Sequence, residues 1–176
     1  MLISEFKEML DGFIDEDVEF LIVGGHCVSI HGHVRATGDI DFWIRQTREN
    51  VQRAHRALVK FGASMAELSV DDLLEPGTGF MMGVPPNRID ILTSIEGVEF
   101  AEAWEARIVA PIDEYEVPTM SLEHLLKNKL TSGRSKDLYD VEELRAIHDL
   151  PPIAELRKRF GASEDAEEPR NGPGKT

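Results

Sequence analysis

Several features that define other classes of protein are scarce or missing in this sequence. Cys27 is the only cysteine, which excludes a disulfide framework and a zinc finger built on cysteine ligands. The longest apolar run, around residues 20–23, is far shorter than the ~20 residues that a membrane-spanning helix needs. The first residues carry acids and lack the basic segment of a signal peptide. We therefore expect a protein of the reducing cytoplasm that has no membrane partner.

Basic residues are also few. The 176 residues include 19 Lys and Arg against 33 Asp and Glu, so the formal net charge is −14. Because broad binding of duplex DNA or RNA requires a basic surface, this charge argues against it. Four basic side chains nevertheless lie within ten residues that contain no acid: Lys127, Lys129, Arg134 and Lys136. This stretch is a candidate for a local anion site.

Apolar residues are plentiful enough for one hydrophobic core, at 41% of the chain, which excludes wholesale disorder. Their spacing predicts helices over 2–15, 49–61, 121–130 and 136–148, strands over 20–23, 40–44 and 88–92, and short edge strands over 107–112 and 115–117. This order predicts an α+β fold with a small mixed β-sheet and a helical C-terminal part. We expect an α/β core over 1–120, a helical part packed on it over 121–160, and a disordered acidic tail over 161–176.

The most informative motif is Asp39-Ile40-Asp41-Phe42. Residues two apart in a strand share a face and lie ~6.6 Å apart, so both carboxylates lie opposite the core-facing apolar side chains. Like charges so placed repel unless a cation lies between them, and Mg²⁺ prefers oxygen ligands. Asp90 has the same alternation in a second strand, and if the two strands are neighbours, three carboxylates converge as two-metal chemistry requires. Taken alone, an Asp-x-Asp motif is more often part of a solvated sheet face.

A pair of glycines precedes this motif. Val23-Gly24-Gly25 ends the first strand and opens a helix, and thirteen residues separate Gly25 from Asp39. Paired glycines let the backbone approach a phosphate, and helix N–H groups then face the anion. A tight turn from strand to helix would favour the same glycines. Neither a Walker loop nor a dinucleotide-binding fingerprint is present in the sequence.

Together these motifs resemble the signature of the DNA polymerase β-like nucleotidyltransferase superfamily. That signature joins two glycines after an apolar residue to Asp-apolar-Asp-apolar and to a third carboxylate on a later strand, which matches Asp90. The segment 35–41, Arg-Ala-Thr-Gly-Asp-Ile-Asp, looks most like the bacterial branch that contains AbiEii-type toxins. That branch also carries a helical lysine and Arg-x-Lys-Asp-x-x-Asp, here Lys129 and residues 134–140. The resemblance covers roughly residues 20–145.

The resemblance implies a site as well as a fold. It implies that Asp39, Asp41 and Asp90 hold two Mg²⁺ (or Mn²⁺) ions, and that Asp90 helps to deprotonate an attacking hydroxyl. It also implies that Gly24 and Gly25 approach the β- and γ-phosphates of an NTP. The candidate phosphate-binding cations are Arg35, Lys129 and Lys136, and the supporting residues are Thr37, Arg134 and Asp137.

Several of these residues also have purely structural interpretations. Lys129 is as readily a solvated helical lysine as a phosphate ligand, and Arg134 and Asp137 are spaced for a surface ion pair. Arg35 is also placed to brace the loop before the Asp-x-Asp motif. Trp43 shares the carboxylate face, where it either stacks on a nucleobase or covers the sheet edge.

Two functions of different classes follow. The first is a Mg²⁺-dependent nucleotidyltransferase that moves an NMP from an NTP to a hydroxyl or phosphate acceptor. The acceptor is RNA or protein, as in toxin–antitoxin systems with a cognate antitoxin partner, or a small molecule. The alternative is a non-catalytic nucleotide-binding or regulatory protein on the same fold, because a fold does not by itself determine an activity.

Overall fold

The structure is a computed structural model that describes residues 2–64 and 68–162 of the chain. Within these ranges the helices are α1 (Ser4–Asp15), α2 (Gly24–Ile30), α3 (Arg48–Phe61), α4 (Val70–Leu74), α5 (Phe100–Glu105), α6 (Leu122–Ser132), α7 (Ser135–Ile147) and α8 (Ile153–Phe160). The strands are β1 (Phe20–Val23), β2 (Asp39–Ile44), β3 (Gly79–Met82), β4 (Arg88–Leu92), β5 (Ile108–Ile112) and β6 (Tyr115–Thr119). The predicted α+β class is confirmed. All but the first two residues of the predicted tail lie outside the described residues.

The six strands form one mixed sheet in the order β3-β4-β2-β1-β6-β5. β2 lies at its centre, antiparallel to β1 and parallel to β4. The expectation that β6 is an edge strand is wrong, because it pairs with both β1 and β5. Its Val117 and Thr119 are fully buried. A strand of five residues carries a signal for the face that it buries but none for the number of its neighbours.

The two faces of the sheet are covered by different helices. On one face, Phe20 and Phe42 pack against Phe13 of α1, with ring centroids 5.4 and 5.2 Å from that ring. The opposite face carries Trp43, which is 1% exposed and contacts Phe100 of α5. Both interpretations of Trp43 made from the sequence are therefore wrong. α5 covers this end of the face and turns the position into core.

The C-terminal helices contribute to the same hydrophobic core as the sheet. Leu126 of α6, Val141 of α7 and Leu156 of α8 all belong to one buried cluster with the strand residues. Ile147, predicted on the buried face of α7, is half exposed, because it ends the helix and lies over Gly32, which has no side chain to cover it. The division of the chain at residue 120 stays a prediction. No helix in the described ranges is both long and apolar enough to cross a bilayer.

Candidate active site

Strand register brings the three predicted carboxylates together. β2 and β4 run parallel with Asp41 directly beside Asp90, and Asp39 lies two residues before Asp41 on the same face. The end of β1 completes the cluster, because Val23 is the partner of Asp41 across the antiparallel pair. Residues from three strands therefore meet where β1 turns into α2.

The turn from β1 into α2 is shaped around Asp41. Gly24 has a φ of +60°, and a Cβ atom added there would overlap Asp41 Oδ2. The backbone N–H of Gly25 donates a hydrogen bond to the Asp41 carboxylate. Both glycines thus bring the main chain against a carboxylate, a contact that a side chain at position 24 would prevent.

Burial and charge crowding act together on Asp41. Burial, together with the charges of the neighbouring carboxylates Asp39 and Asp90, raises the pKa of Asp41 to about 7. The Gly25 hydrogen bond and the charge of Arg88 offset only part of this effect. The cluster therefore holds more negative charge than its surroundings compensate, which is the condition that favours a bound cation.

Arg88, which the sequence analysis did not select, lies inside the carboxylate cluster. Its Nη2 donates to Asp39 Oδ2 at 2.7 Å and to Asp90 Oδ2 at 2.8 Å, and its Nε donates to Asp90 Oδ1 at 2.8 Å. The position follows from register, since Arg88 pairs with Asp39 across β2 and β4. The available sequence signal was its place two residues before Asp90, on the same face of the strand.

The predicted cations form a second cluster on the helical side. Lys129 is 4% exposed, and its Nζ lies 2.7 Å from Asp137 Oδ1 and 2.8 Å from Asp140 Oδ2. Arg35 donates two hydrogen bonds to the carboxylate of Asp140, at 2.8 and 3.0 Å. Lys129 is therefore not a solvated surface lysine, and Arg35 is anchored to α7 rather than free in its loop.

The supporting residues lie between and beside these two clusters. Thr37 Oγ1 donates to Asp39 Oδ1 at 2.7 Å, so it fixes the orientation of that carboxylate. Arg134 pairs with Glu96 at 2.9 Å, whereas its distance to Asp137 is 4.0 Å. The ion pair that the sequence suggested for Arg134 is thus secondary to one with a residue 38 positions earlier.

A cleft of about 370 Å³ joins the two clusters. The proposed site residues that line it are Gly24, Gly25, Arg35, Asp39, Asp41, Asp90, Lys129, Arg134, Lys136 and Asp137. The sheet side of the cleft thus carries three carboxylates with Arg88 between two of them. The other side carries the basic side chains of the loop before β2, of α6 and of the start of α7, with Asp137 among them. A polyanion that binds the carboxylates through a metal cation would therefore also meet basic side chains within the same cleft.

The donor set of this cleft fits Mg²⁺ or Mn²⁺. Three carboxylates provide only hard oxygen ligands, and one guanidinium neutralises one of their three charges when all are ionised. Gly24 leaves the space that Asp41 occupies. Among the described residues, no three His, Cys, Asp or Glu side chains are already arranged to hold a metal ion. Asp39 and Asp90 both accept hydrogen bonds from Arg88.

The fold and the carboxylate cluster define a protein of the nucleotidyltransferase class. The chain belongs to the family described as "Nucleotidyltransferase of unknown function (DUF6036)", whose model matches residues 1–168. Among curated proteins, no sequence matches the chain at a significant level.

Solved nucleotidyltransferases have a similar fold. The antibiotic-resistance factor ANT(2″)-Ia in solution has a TM-score of 0.60 and 14% identity, with 90% of each chain covered. The crystal structure of ANT(2″)-Ia with adenylyl-2″-tobramycin has a TM-score of 0.60 and 15% identity, with 89% of this chain and 94% of that one covered. Protein TM1012 of Thermotoga maritima, described as a proposed nucleotidyltransferase, has a TM-score of 0.55 and 16% identity, with 85% and 96% covered. At these identities the likeness is one of fold alone.

Proposed function

We propose that this protein is a Mg²⁺-dependent nucleotidyltransferase that moves an NMP from an NTP to a hydroxyl or phosphate acceptor. The observation that carries the proposal is the register of β2 and β4, which sets Asp90 beside Asp41 in the wall of a cleft that basic side chains also line. This arrangement supplies carboxylates for a cation and cations for phosphates within one cleft. Positioning and charge stabilisation are the main requirements of phosphoryl transfer.

Asp39, Asp41 and Asp90 would hold the metal. When bound there, Mg²⁺ would neutralise charge on the triphosphate and lower the pKa of the attacking hydroxyl. Asp90 lies directly beside Asp41 across β2 and β4, and it is the residue we assign to accept the hydroxyl proton. Thr37 holds Asp39 in one orientation through its 2.7 Å hydrogen bond.

The basic cluster would bind the triphosphate. Arg35 and Lys129 are held in place by Asp140, so they are ordered before a nucleotide arrives. Such preorganisation lowers the entropic cost of binding. Lys136, in the first turn of α7, lines the same cleft and supplies a further cation. Gly24 and Gly25 would let the main chain approach the β- and γ-phosphates.

The acceptor that we favour is a small molecule. The similarity in fold to ANT(2″)-Ia spans 90% of each chain, and a crystal structure of that protein contains adenylyl-2″-tobramycin. A net charge of −14 disfavours an extended RNA surface. The second candidate acceptor is RNA or protein, as in AbiEii-type toxins with a cognate antitoxin, and it rests on the motif over residues 134–140. Either reaction draws on the NTP pool of the cytoplasm, where we place the protein.

Thermal unfolding with each of the four NTPs, with and without Mg²⁺, tests the donor half of the proposal. We expect one NTP to raise the melting temperature only when Mg²⁺ is present, because a ligand at a hundredfold excess over its Kd adds about 2.7 kcal/mol to stability. Asp39→Ala should abolish the shift. Asp71→Ala, which removes an exposed carboxylate on α4 that pairs with Arg48, should retain it.

Transfer of label from an α-labelled NTP then separates an enzyme from a nucleotide-binding protein. Small hydroxyl compounds, total RNA and cell protein serve as acceptor pools, and we expect labelled product from the first. An equal Mg²⁺-dependent shift in wild type and Asp39→Ala, with no transfer to any pool, would contradict the catalytic assignment. It would favour the non-catalytic, regulatory alternative.

A further inference from the structure

Arg88 lies where the proposed function requires a metal. Its guanidinium uses three hydrogen bonds of 2.7–2.8 Å to bind one oxygen of Asp39 and both oxygens of Asp90. These are oxygens that a divalent cation would need as ligands. A metal and the guanidinium cannot both occupy the space between the two carboxylates.

We infer that Arg88 is an exchangeable internal counter-ion, which holds Asp39 and Asp90 together in the metal-free protein and must leave them when the metal binds. This inference rests on the proposed function, because it assumes a metal at the three carboxylates. Arg88 is thus a positioning residue: it acts through the carboxylates that it orients. It sets the strength of metal binding by competing for the same ligand oxygens.

The exposure of the participating side chains supports exchange. The side chain of Arg88 is 30% exposed, and those of Asp39 and Asp90 are 26% and 10% exposed. The ion pair between Arg35 and Asp140 is different, because the Asp140 side chain is completely buried. An ion pair at the wall of an open cleft separates at much lower cost than one whose carboxylate has no access to water.

The charges of the two cations favour the metal over Arg88 at the carboxylates. One guanidinium brings a single positive charge to three clustered carboxylates, and its hydrogen bonds reach two of them. A divalent cation brings twice that charge and prefers the same oxygen ligands. Wherever the metal is present it therefore offsets more of the repulsion than Arg88 does, whereas Arg88 limits that repulsion in its absence.

Binding of Mn²⁺ alone, followed by the EPR signal of free Mn²⁺, tests the inference without any measurement of activity. We expect Arg88→Gln to bind Mn²⁺ at least fivefold more tightly than wild type, because its amide is uncharged and leaves the carboxylate oxygens to the metal. Arg88→Lys should fall between the two, since an ammonium is a point charge without the fork geometry of a guanidinium. Arg53→Gln removes an equal charge from an exposed pair with Glu49 on α3 and should stay within twofold of wild type.

Melting temperatures in EDTA and in Mn²⁺ provide a second readout for the same variants. Arg88→Gln should melt lower than wild type in EDTA and gain more from Mn²⁺ than wild type does. If Arg88→Gln does not fold in EDTA, the Mn²⁺ affinity and the melting shift of Arg88→Lys decide the matter.

The outcomes separate this inference from the proposed function. Equal or weaker Mn²⁺ binding in a folded Arg88 variant, with clear binding in wild type, would overturn the exchange and leave the proposed function standing. No Mn²⁺ binding in wild type or in any variant would overturn the metal site itself, and both proposals with it. Binding that appears only in the Arg88 variants, and disappears when Asp39→Asn is added, would support both.

Discussion

At the scale of single residues, Gly24 shows how closely the carboxylate cluster and the backbone are matched. Its φ of +60° is one that residues with a side chain rarely adopt, and the space beside it is filled by the Asp41 carboxylate. The sequence marks the position as a glycine, and two explanations for it, a tight turn and a phosphate approach, were open. The structure adds a third requirement, which is room for Asp41.

We therefore predict that Gly24→Ala is more damaging than an ordinary glycine substitution at positive φ. A methyl group would collide with Asp41 Oδ2 in addition to straining the backbone. The free energy of unfolding from urea titration should fall by at least about 1 kcal/mol more than for Gly77→Ala. Gly77 has a φ of +76° and no described atom within 4 Å of its added Cβ, so it isolates the backbone contribution. Equal losses in the two variants would show that Asp41 moves aside without cost.

At the scale of secondary structure, α7 ties three parts of the chain together through one buried carboxylate. Asp140 accepts hydrogen bonds from Arg35 in the loop before β2 and pairs with Lys129 on α6, and His33 Nε2 lies 3.8 Å from its Oδ1. Burial alone would raise the pKa of Asp140, but the bonds from Arg35 and Lys129 outweigh it, so the pKa lies below its usual range. The cations proposed for the phosphates therefore depend on α7 for their placement.

The ion pairs of Asp140 with Arg35 and Lys129 make the free energy of unfolding depend on pH in a predictable way. Because the pKa of Asp140 is lower in the folded state, its stabilisation is present above the unfolded pKa of about 3.9 and is lost as the pH falls through the folded value. Asp140→Asn should reduce the free energy of unfolding by about 3 kcal/mol at pH 7, since it leaves buried cations without a full partner. The difference from wild type should shrink towards pH 3.

The control for this prediction is Glu142→Gln, also on α7. Glu142 is about half exposed and pairs with Arg145 three residues on, so its removal should cost no more than about 0.5 kcal/mol at either pH. If Asp140→Asn lowered the free energy of unfolding equally at both pH values, the contribution of Asp140 would come from its shape rather than from its charge.

At the scale of the whole molecule, one core connects the sheet to the C-terminal helices, and Cys27 lies within it. Its side chain is completely buried, and its thiol contacts the carbonyl oxygen of Met120, just before α6, at 3.4 Å. Burial raises the pKa of the Cys27 thiol far above its usual value. Since the thiolate is the nucleophile, the lack of solvent access and the raised pKa both protect Cys27 from alkylation.

We predict that iodoacetamide at pH 8 does not alkylate Cys27 in the native protein and does so completely in denaturant. In low urea we expect the rate of labelling to follow the global unfolding equilibrium, because Cys27 lies inside the one core that the sheet shares with the C-terminal helices. A Val109→Cys variant provides the control: residue 109 is 60% exposed on β5, so its thiol should react in the native state. Rapid native labelling of Cys27 would show that the C-terminal helices separate from the sheet on their own.

Local pattern predicted most of the elements and the face of the sheet on which the candidate carboxylates stand. Alternation in 39–44 and 88–92 identified the strands and the face of each carboxylate, and Ser121 caps the helix predicted over 121–130, as its capping preference indicates. Trp43 was misinterpreted because alternation gives the face of a residue but not the helix that covers it. β6 was misplaced for a related reason: strand pairing is a contact between distant segments.

By itself, then, the sequence determined the class of the fold, the nucleotidyltransferase class of the protein, and which side chains stand on the carboxylate face, since these depend on short-range periodicity and on motif spacing. Only the tertiary structure decided which of those side chains meet. The parallel pairing of β2 with β4 sets Asp90 beside Asp41 and Arg88 beside Asp39, and a shift of one residue would separate them. The packing of α7 similarly converts Lys129 and Arg35 from isolated cations into an ordered cluster. Register and packing join residues 49 and 105 positions apart, a distance over which no local pattern carries information.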